Sequence, residues 1–261
     1  MKIRFLNGTV KEFDTLKMQT LADVDLSEAQ LAGENLSRAN FKGSCMYAAN
    51  LRGANLEGAN MERVDLAFAD LGGANLQGAD LSDADLQGAN LRDADLTGVK
   101  LSHANLTGAD LGYADIRDAV LKCATLESAD LRDANLEKSD LSEVIAKEAI
   151  FERSNLRSAD LRDANLVGAD MKFVCLESAK LDDAYLNRAT LEGANLRDAT
   201  FLDANLRGAD LTFANLAWAV FKGADLTGVD LWRADLERAD FEGADLTGAD
   251  LTGTLLDKEQ E

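Results

Sequence analysis

From Leu21 to Leu256 every fifth residue is apolar, and the frame never slips. The series holds 48 positions, of which 38 are Leu, five Phe and three Met, with Ile116 and Ala146 completing it. We call this position i. Residue i−2 is nearly always Ala, with occasional Val, Ser or Thr, and residue i−1 is mostly Asp or Asn. Ala74-Asn75-Leu76-Gln77-Gly78 followed by Ala79-Asp80-Leu81-Ser82-Asp83 is typical.

Neither regular element accommodates this period. A helix advances ~100° per residue, so successive leucines would spiral around every face. A flat strand alternates with period two, so an odd spacing throws successive leucines to opposite sides. Only a chain that turns once per pentamer points them all inward. Seventeen of the twenty glycines fall at i+2, among them Gly53, Gly58, Gly78 and Gly98, where a corner with positive φ favours Gly. Asp, Ser and Arg fill many other i+2 positions, so a non-uniform corner is expected. A methyl group at i−2 beside a large side chain at i fills a narrow coil without overpacking it. Asp or Asn at i−1 is placed to hydrogen-bond the local backbone.

Composition narrows the function. The 261 residues are 46% apolar, enough for a core and against wholesale disorder. A net charge of −20 and a pI near 4.4 argue against direct binding to nucleic acid or an anionic membrane. Proline is absent and there is one His. Cys45, Cys123 and Cys175 are too few and too scattered for a disulfide framework or a thiolate metal cage. No run reaches the length of a membrane span, and residues 1–20 lack the apolar stretch of a signal peptide. A soluble, reducing, cytoplasmic setting is the expectation.

The Ala-(Asp/Asn)-Leu-X-X pattern resembles the motif of the pentapeptide-repeat family, over residues 19–256. The resemblance implies an all-β fold, a right-handed quadrilateral parallel β-helix with four pentamers per coil and about 12 coils. Phe41, Phe201, Phe221 and Phe241 share one position modulo twenty, in keeping with that coil length. At ~4.8 Å per coil the rod would be ~58 Å long. Residues 1–18 are expected to form an N-terminal cap, a hairpin of Lys2–Leu6 and Thr9–Phe13 around Asn7-Gly8. Residues 257–261 form a tail too short to cover a coil. A homodimer through the C-terminal coil is therefore expected, and the family resemblance implies it too. Between Val144 and Phe151 a bulge or kink is expected, because Ala146 underfills its core site and Ile145 and Ile150 replace the polar i−1 residue.

No catalytic residue, cofactor or metal is expected. His103 stands at i+2, facing solvent, and no second His accompanies it. Cys45 and Cys175 fall on opposite sides of a four-sided coil. Carboxylates abound, but a convex rod without insertions gives acid–base chemistry no cleft. Stacked Asp could ligate Ca²⁺, and turn stabilisation accounts for the same residues. Asp225, Asp230, Asp235, Asp240, Asp245 and Asp250 occupy six consecutive i−1 positions. Asp110, Asp130, Asp170, Asp210, Asp230 and Asp250 fall in one column of the twenty-residue coil. Tyr113, Phe173 and Phe213 at i+2 and Trp232 at i+1 accompany them. Solvent-facing aromatics beside acids anchor protein partners, so this column is the candidate partner-binding face.

The reading is a non-catalytic acidic rod acting as a protein-interaction scaffold, its target open. The family resemblance implies an alternative, a DNA mimic that binds DNA gyrase or another topoisomerase and modulates it or protects it from poisons. About 34 phosphate charges would line ~58 Å of B-DNA, against a net 20 on this chain. The topoisomerase-protecting members whose action is best understood use loops that interrupt the repeats, and none interrupts this frame.

Overall fold

In the computed structural model of the chain, residues 2–5, 8–12 and 21–256 are described. The expected tail, 257–261, lies outside them. So do residues 13–20 and the Asn7 of the expected hairpin turn.

Each pentamer is a two-residue corner followed by one bridging residue. The N–H of i+3 closes the corner onto the carbonyl of i, as from Ala54 to Leu51 and from Ala79 to Leu76, both at 2.9 Å. The i+2 residue has positive φ in every pentamer from Asp23 to Gly253, with thirty non-glycine residues between +51° and +64°. One left-handed residue and one i+3 to i bond make the corner a type II turn. The expectation of a non-uniform corner is therefore corrected. Left-handed backbone costs an L-residue about 1–2 kcal/mol, but three inter-coil bonds hold each pentamer between the end coils in place. In the pentamer around Leu81 these run from Leu81 N–H to the Lys100 carbonyl (2.7 Å), Asp83 to Ser102 (2.9 Å) and Asp80 to Ala59 (2.9 Å). A ladder this dense imposes the conformation on Arg, Tyr and Phe as readily as on Gly.

Bridges pair each i−1 residue in parallel with the one twenty further on, from Asp25–Cys45 to Asp230–Asp250. Four corners and four ladders thus make a four-sided β-helical solenoid. Its interior is a continuous file of Leu and Ala, nearly all without solvent exposure. Each buried Leu contributes about 1.5–3 kcal/mol before chain entropy is subtracted. Phe201, Phe221 and Phe241 stack through consecutive coils at 4.6 and 5.2 Å.

The bulge expected between Val144 and Phe151 does not form. The ladders continue through Thr125–Ile145–Asn165 and Asp130–Ile150–Asp170. Ala146, Val144 and Phe151 are all fully buried. Val at i−2 and Phe at the next i position supply the carbons that Ala146 lacks, a volume-conserving exchange within one coil. The only trace is a longer corner bond, 3.3 Å from Ala149 to Ala146.

At the N-terminal end, β1 (Lys2–Phe5) pairs antiparallel with β2 (Val10–Glu12) and with β3 (Ala29–Gln30), in the order β2-β1-β3. Arg4 opposite Gln30 and Phe5 opposite Ala29 join this sheet to the first coil. Toward the other end burial fades. Phe241, Leu246 and Leu251 are only partly buried and Leu255 is 60% exposed.

Candidate protein-interaction face

The predicted column is one ladder of the solenoid. Asp110 bridges Asp130, and Asp210, Asp230 and Asp250 follow one another. Asp170 stands alone between Ile150 and Thr190. All six carboxylates do structural work first. Each accepts the backbone N–H two residues on, from Gly112, Arg132, Lys172, Thr212, Trp232 and Thr252, at 2.9–3.3 Å. The consecutive run behaves alike, with Asp225, Asp235, Asp240 and Asp245 accepting from Thr227, Glu237, Glu242 and Thr247. Asn75 does the same for Gln77 at 3.0 Å, so the amide and the carboxylate are interchangeable for the turn.

The remaining carboxylate oxygens divide the column in two. In its N-terminal part they are neutralised. Arg92 reaches Asp110 at 3.4 Å, Arg132 forks onto Asp130, and Arg153 forks onto Asp133 at 2.9 and 3.1 Å. The hydrogen-bonding guanidinium of Arg132 holds Asp130 below the usual carboxylate range, and that of Arg153 does the same to Asp133. Arg92 also lies over the Tyr113 ring, 5.1 Å from its centroid. Arg92, Tyr113, Arg132, Asp133 and Arg153 line a shallow cleft there. Glycine makes room for these side chains. A Cβ at Gly112 would stand 2.6 Å from Arg92 Nη1, and one at Gly72 would stand 2.8 Å from Arg52 Nη1. The series Arg52, Gly72, Arg92, Gly112, Arg132 was present in the sequence at twenty-residue spacing, and it was the signal for this packing.

In the C-terminal part the acids are free of such partners. Among the described residues ion pairs reach Asp225 and Asp240 but not Asp210, Asp230, Asp235 or Asp250. Phe213 meets Trp232 edge to face at 4.7 Å, and Arg233 covers the Trp232 ring at 4.5 Å. Trp218, which sequence reasoning passed over, lies on the next corner beneath Arg238 at 4.4 Å. Tyr113, Phe173 and Phe213 are about half exposed. They stand on the corner between two sides, not on the flat of the predicted side, because i+2 belongs to the turn. Phe173 lies across the next coil, where a Cβ at Gly193 would be 2.7 Å from its ring.

Elsewhere the surface offers little chemistry. His103 is exposed. Cys45, Cys123 and Cys175 are free thiols, and burial pushes the Cys123 thiol up, away from a reactive thiolate. Among the described residues no group of His, Cys, Asp and Glu is arranged to hold a metal ion. No helix there is long and apolar enough to cross a membrane. Sorted by ladder, the charges leave each of the four sides with four to six net negative charges, so acidity surrounds the rod.

The sequence profile of pentapeptide repeats matches residues 21–58, 59–98, 100–137, 134–172, 175–212 and 214–253. No curated protein matches the chain. Among solved structures the chain is similar to HetL, a pentapeptide repeat protein involved in heterocyst differentiation regulation from the cyanobacterium Nostoc sp. strain PCC 7120. Identity is 32% over 92% of both chains, with a TM-score of 0.36. Rfr23, a pentapeptide repeat protein from the cyanobacterium Cyanothece 51142, is 37% identical over 38% of this chain and 62% of its own, with a TM-score of 0.29. A trypsin-treated form of QnrB1, a plasmid-mediated fluoroquinolone resistance protein, is 20% identical over 85% of this chain and 88% of its own, with a TM-score of 0.31. With the five-residue motif matched along nearly the whole solenoid, the chain belongs to the pentapeptide-repeat family.

Proposed function

We propose that this protein is a non-catalytic, cytoplasmic rod of about twelve right-handed coils that serves as a protein-interaction scaffold. The observation that carries the reading is a set of exposed aromatic rings, several held by arginines, on a convex acidic surface. Aromatic and Arg side chains dominate the energetics of protein interfaces. HetL, 32% identical, takes part in regulating differentiation, a role that suits a binding rod. Passing host lysate over the immobilised rod tests the proposal. A protein retained by the natural sequence and lost from a Phe213→Ala, Trp232→Ala variant supports it. Retention of no protein at any salt concentration overturns it. The partly buried Phe241, Leu246 and Leu251 favour a homodimer through the C-terminal coil. A monomer mass by light scattering would remove that part.

Topoisomerase binding by DNA mimicry is the second reading. The spread of net negative charge over all four sides favours it, since a duplex is also acidic all round. Salt-sensitive modulation in a gyrase supercoiling assay would support it, and no effect at micromolar protein would remove it.

A further inference from the structure

Both tryptophans of the chain, Trp218 and Trp232, lie in its C-terminal third. Trp218 stands on the corner after Leu216 and Trp232 on the corner after Leu231. One side of the solenoid runs between these two corners, and its outward residues are Asn195, Asn215 and Asp235. Phe213 and Trp218 border this strip in one coil, and Trp232 and Arg238 border it in the next. Among the described residues no other coil carries an aromatic ring on both corners of one side. The strip therefore has a polar floor and two aromatic edges.

Its electrostatics select a partner. Arg233 already covers Trp232 and Arg238 already covers Trp218, so an incoming cation finds those ring faces taken. The carboxylates of Asp210, Asp230, Asp235 and Asp250 lie on and beside the strip with no ion-pair partner among the described residues. The net charge of −20 steers basic chains toward the rod and acidic ones away. We propose that this strip, edged by Phe213, Trp232 and Trp218, docks an extended basic segment of a protein partner. An apolar side chain of the segment packs against the exposed Phe213 and Trp218 rings and the half-buried Trp232, while its Lys and Arg side chains meet the four aspartates. The inference rests on the scaffold reading and adds to it a place and a partner chemistry.

The probe is a short lysine-rich peptide with one central leucine, titrated by calorimetry and by tryptophan emission, which reports only on this strip. The peptide is expected to bind and shift the emission, and a glutamate-for-lysine peptide is not. Trp218→Ala and Trp232→Ala should each weaken binding at least about tenfold, and Trp232→Phe should restore much of it. Asp230→Asn with Asp235→Asn keeps the turn acceptors, since Asn fills that role elsewhere, and should weaken binding and flatten its salt dependence. Leu202→Ala, on an exposed corner that does not border the strip, should leave affinity unchanged. Thermal melts confirm that each variant folds. Equal affinity for the natural protein and both Trp→Ala variants, or preference for the acidic peptide, overturns the proposal. A host protein held equally by the natural rod and the Trp218→Ala, Trp232→Ala variant would overturn this site and leave the scaffold reading standing.

Discussion

Replacing Phe221 by Ala probes the packing that couples each coil to its neighbours. Phe221 has no solvent exposure and stacks on Phe201 at 4.6 Å and on Phe241 at 5.2 Å, with ring planes within 7° and 5° of parallel. Truncating a buried Phe costs about 3–5 kcal/mol, and the value rises with the cavity left behind. Collapse is restricted here. The Phe221 N–H is held by the Asp240 carbonyl at 2.7 Å, and its own carbonyl by Ala224 at 3.1 Å. We therefore expect about 4 kcal/mol. In a solenoid such a loss is local, because each coil touches only its neighbours. Trp218 and Trp232 flank the site in sequence, so their fluorescence reads the damaged coils while far-UV circular dichroism reads the whole rod. Under urea the fluorescence transition of the variant should fall well below the dichroism transition. Coincident transitions, or a loss under about 1 kcal/mol, would refute a tightly stacked interior.

Three further outcomes follow from the same geometry. Ala146→Leu, which restores the majority residue, should destabilise by about 1–3 kcal/mol, because Val144 and Phe151 already fill the coil; a gain in urea midpoint would mean that the space is empty. Gly53→Ala meets only left-handed strain, with nothing within 4 Å of the new Cβ, and should cost about 1 kcal/mol. Gly193→Ala must also displace the Phe173 ring at 2.7 Å, so equal losses in denaturant melts would contradict the packing of Phe173. Hydrogen bonds from Arg117, Arg132 and Arg162 hold Asp115, Asp130 and Asp160 below the usual carboxylate range. Folded values below the unfolded ~3.9 stabilise the rod fully above that pH, and the contribution is lost as pH falls through the folded values. Acid destabilisation should begin below about pH 4 and be shallower in an Asp130→Asn, Asp160→Asn variant; a transition centred between pH 5 and 6 would contradict the assignment.

The core was legible because the period of the large side chains is a property of the backbone path, and Leu76, Leu81 and their equivalents carry it directly. The corners were not. Tyr113, Arg63 and Phe68 have no preference for positive φ, and they adopt it because inter-coil hydrogen bonds, invisible to local propensity, fix the chain. Ala146 misled for a related reason. A single position reads as a void, whereas the coil conserves volume across Val144, Ala146 and Phe151. Of the candidate site, the aspartate ladder could be read from spacing alone. Its division into a neutralised part near Arg92, Arg132 and Arg153 and a free part near Asp210 and Asp230 depends on side-chain reach. Trp218 escaped notice because grouping residues by side hides what two corners bring to the strip between them.

Paired cysteines test the twenty-residue coil most directly. In a background lacking Cys45, Cys123 and Cys175, Asn75→Cys with Asp95→Cys places thiols on bridged neighbours, at the strand spacing of ~4.8 Å that a disulfide spans. Asn75→Cys with Asp85→Cys places them on opposite sides of the coil. Mild oxidation should crosslink the first pair within the monomer and leave the second reduced. Equal crosslinking of both pairs, or closure of the second alone, would contradict a solenoid that repeats every four pentamers.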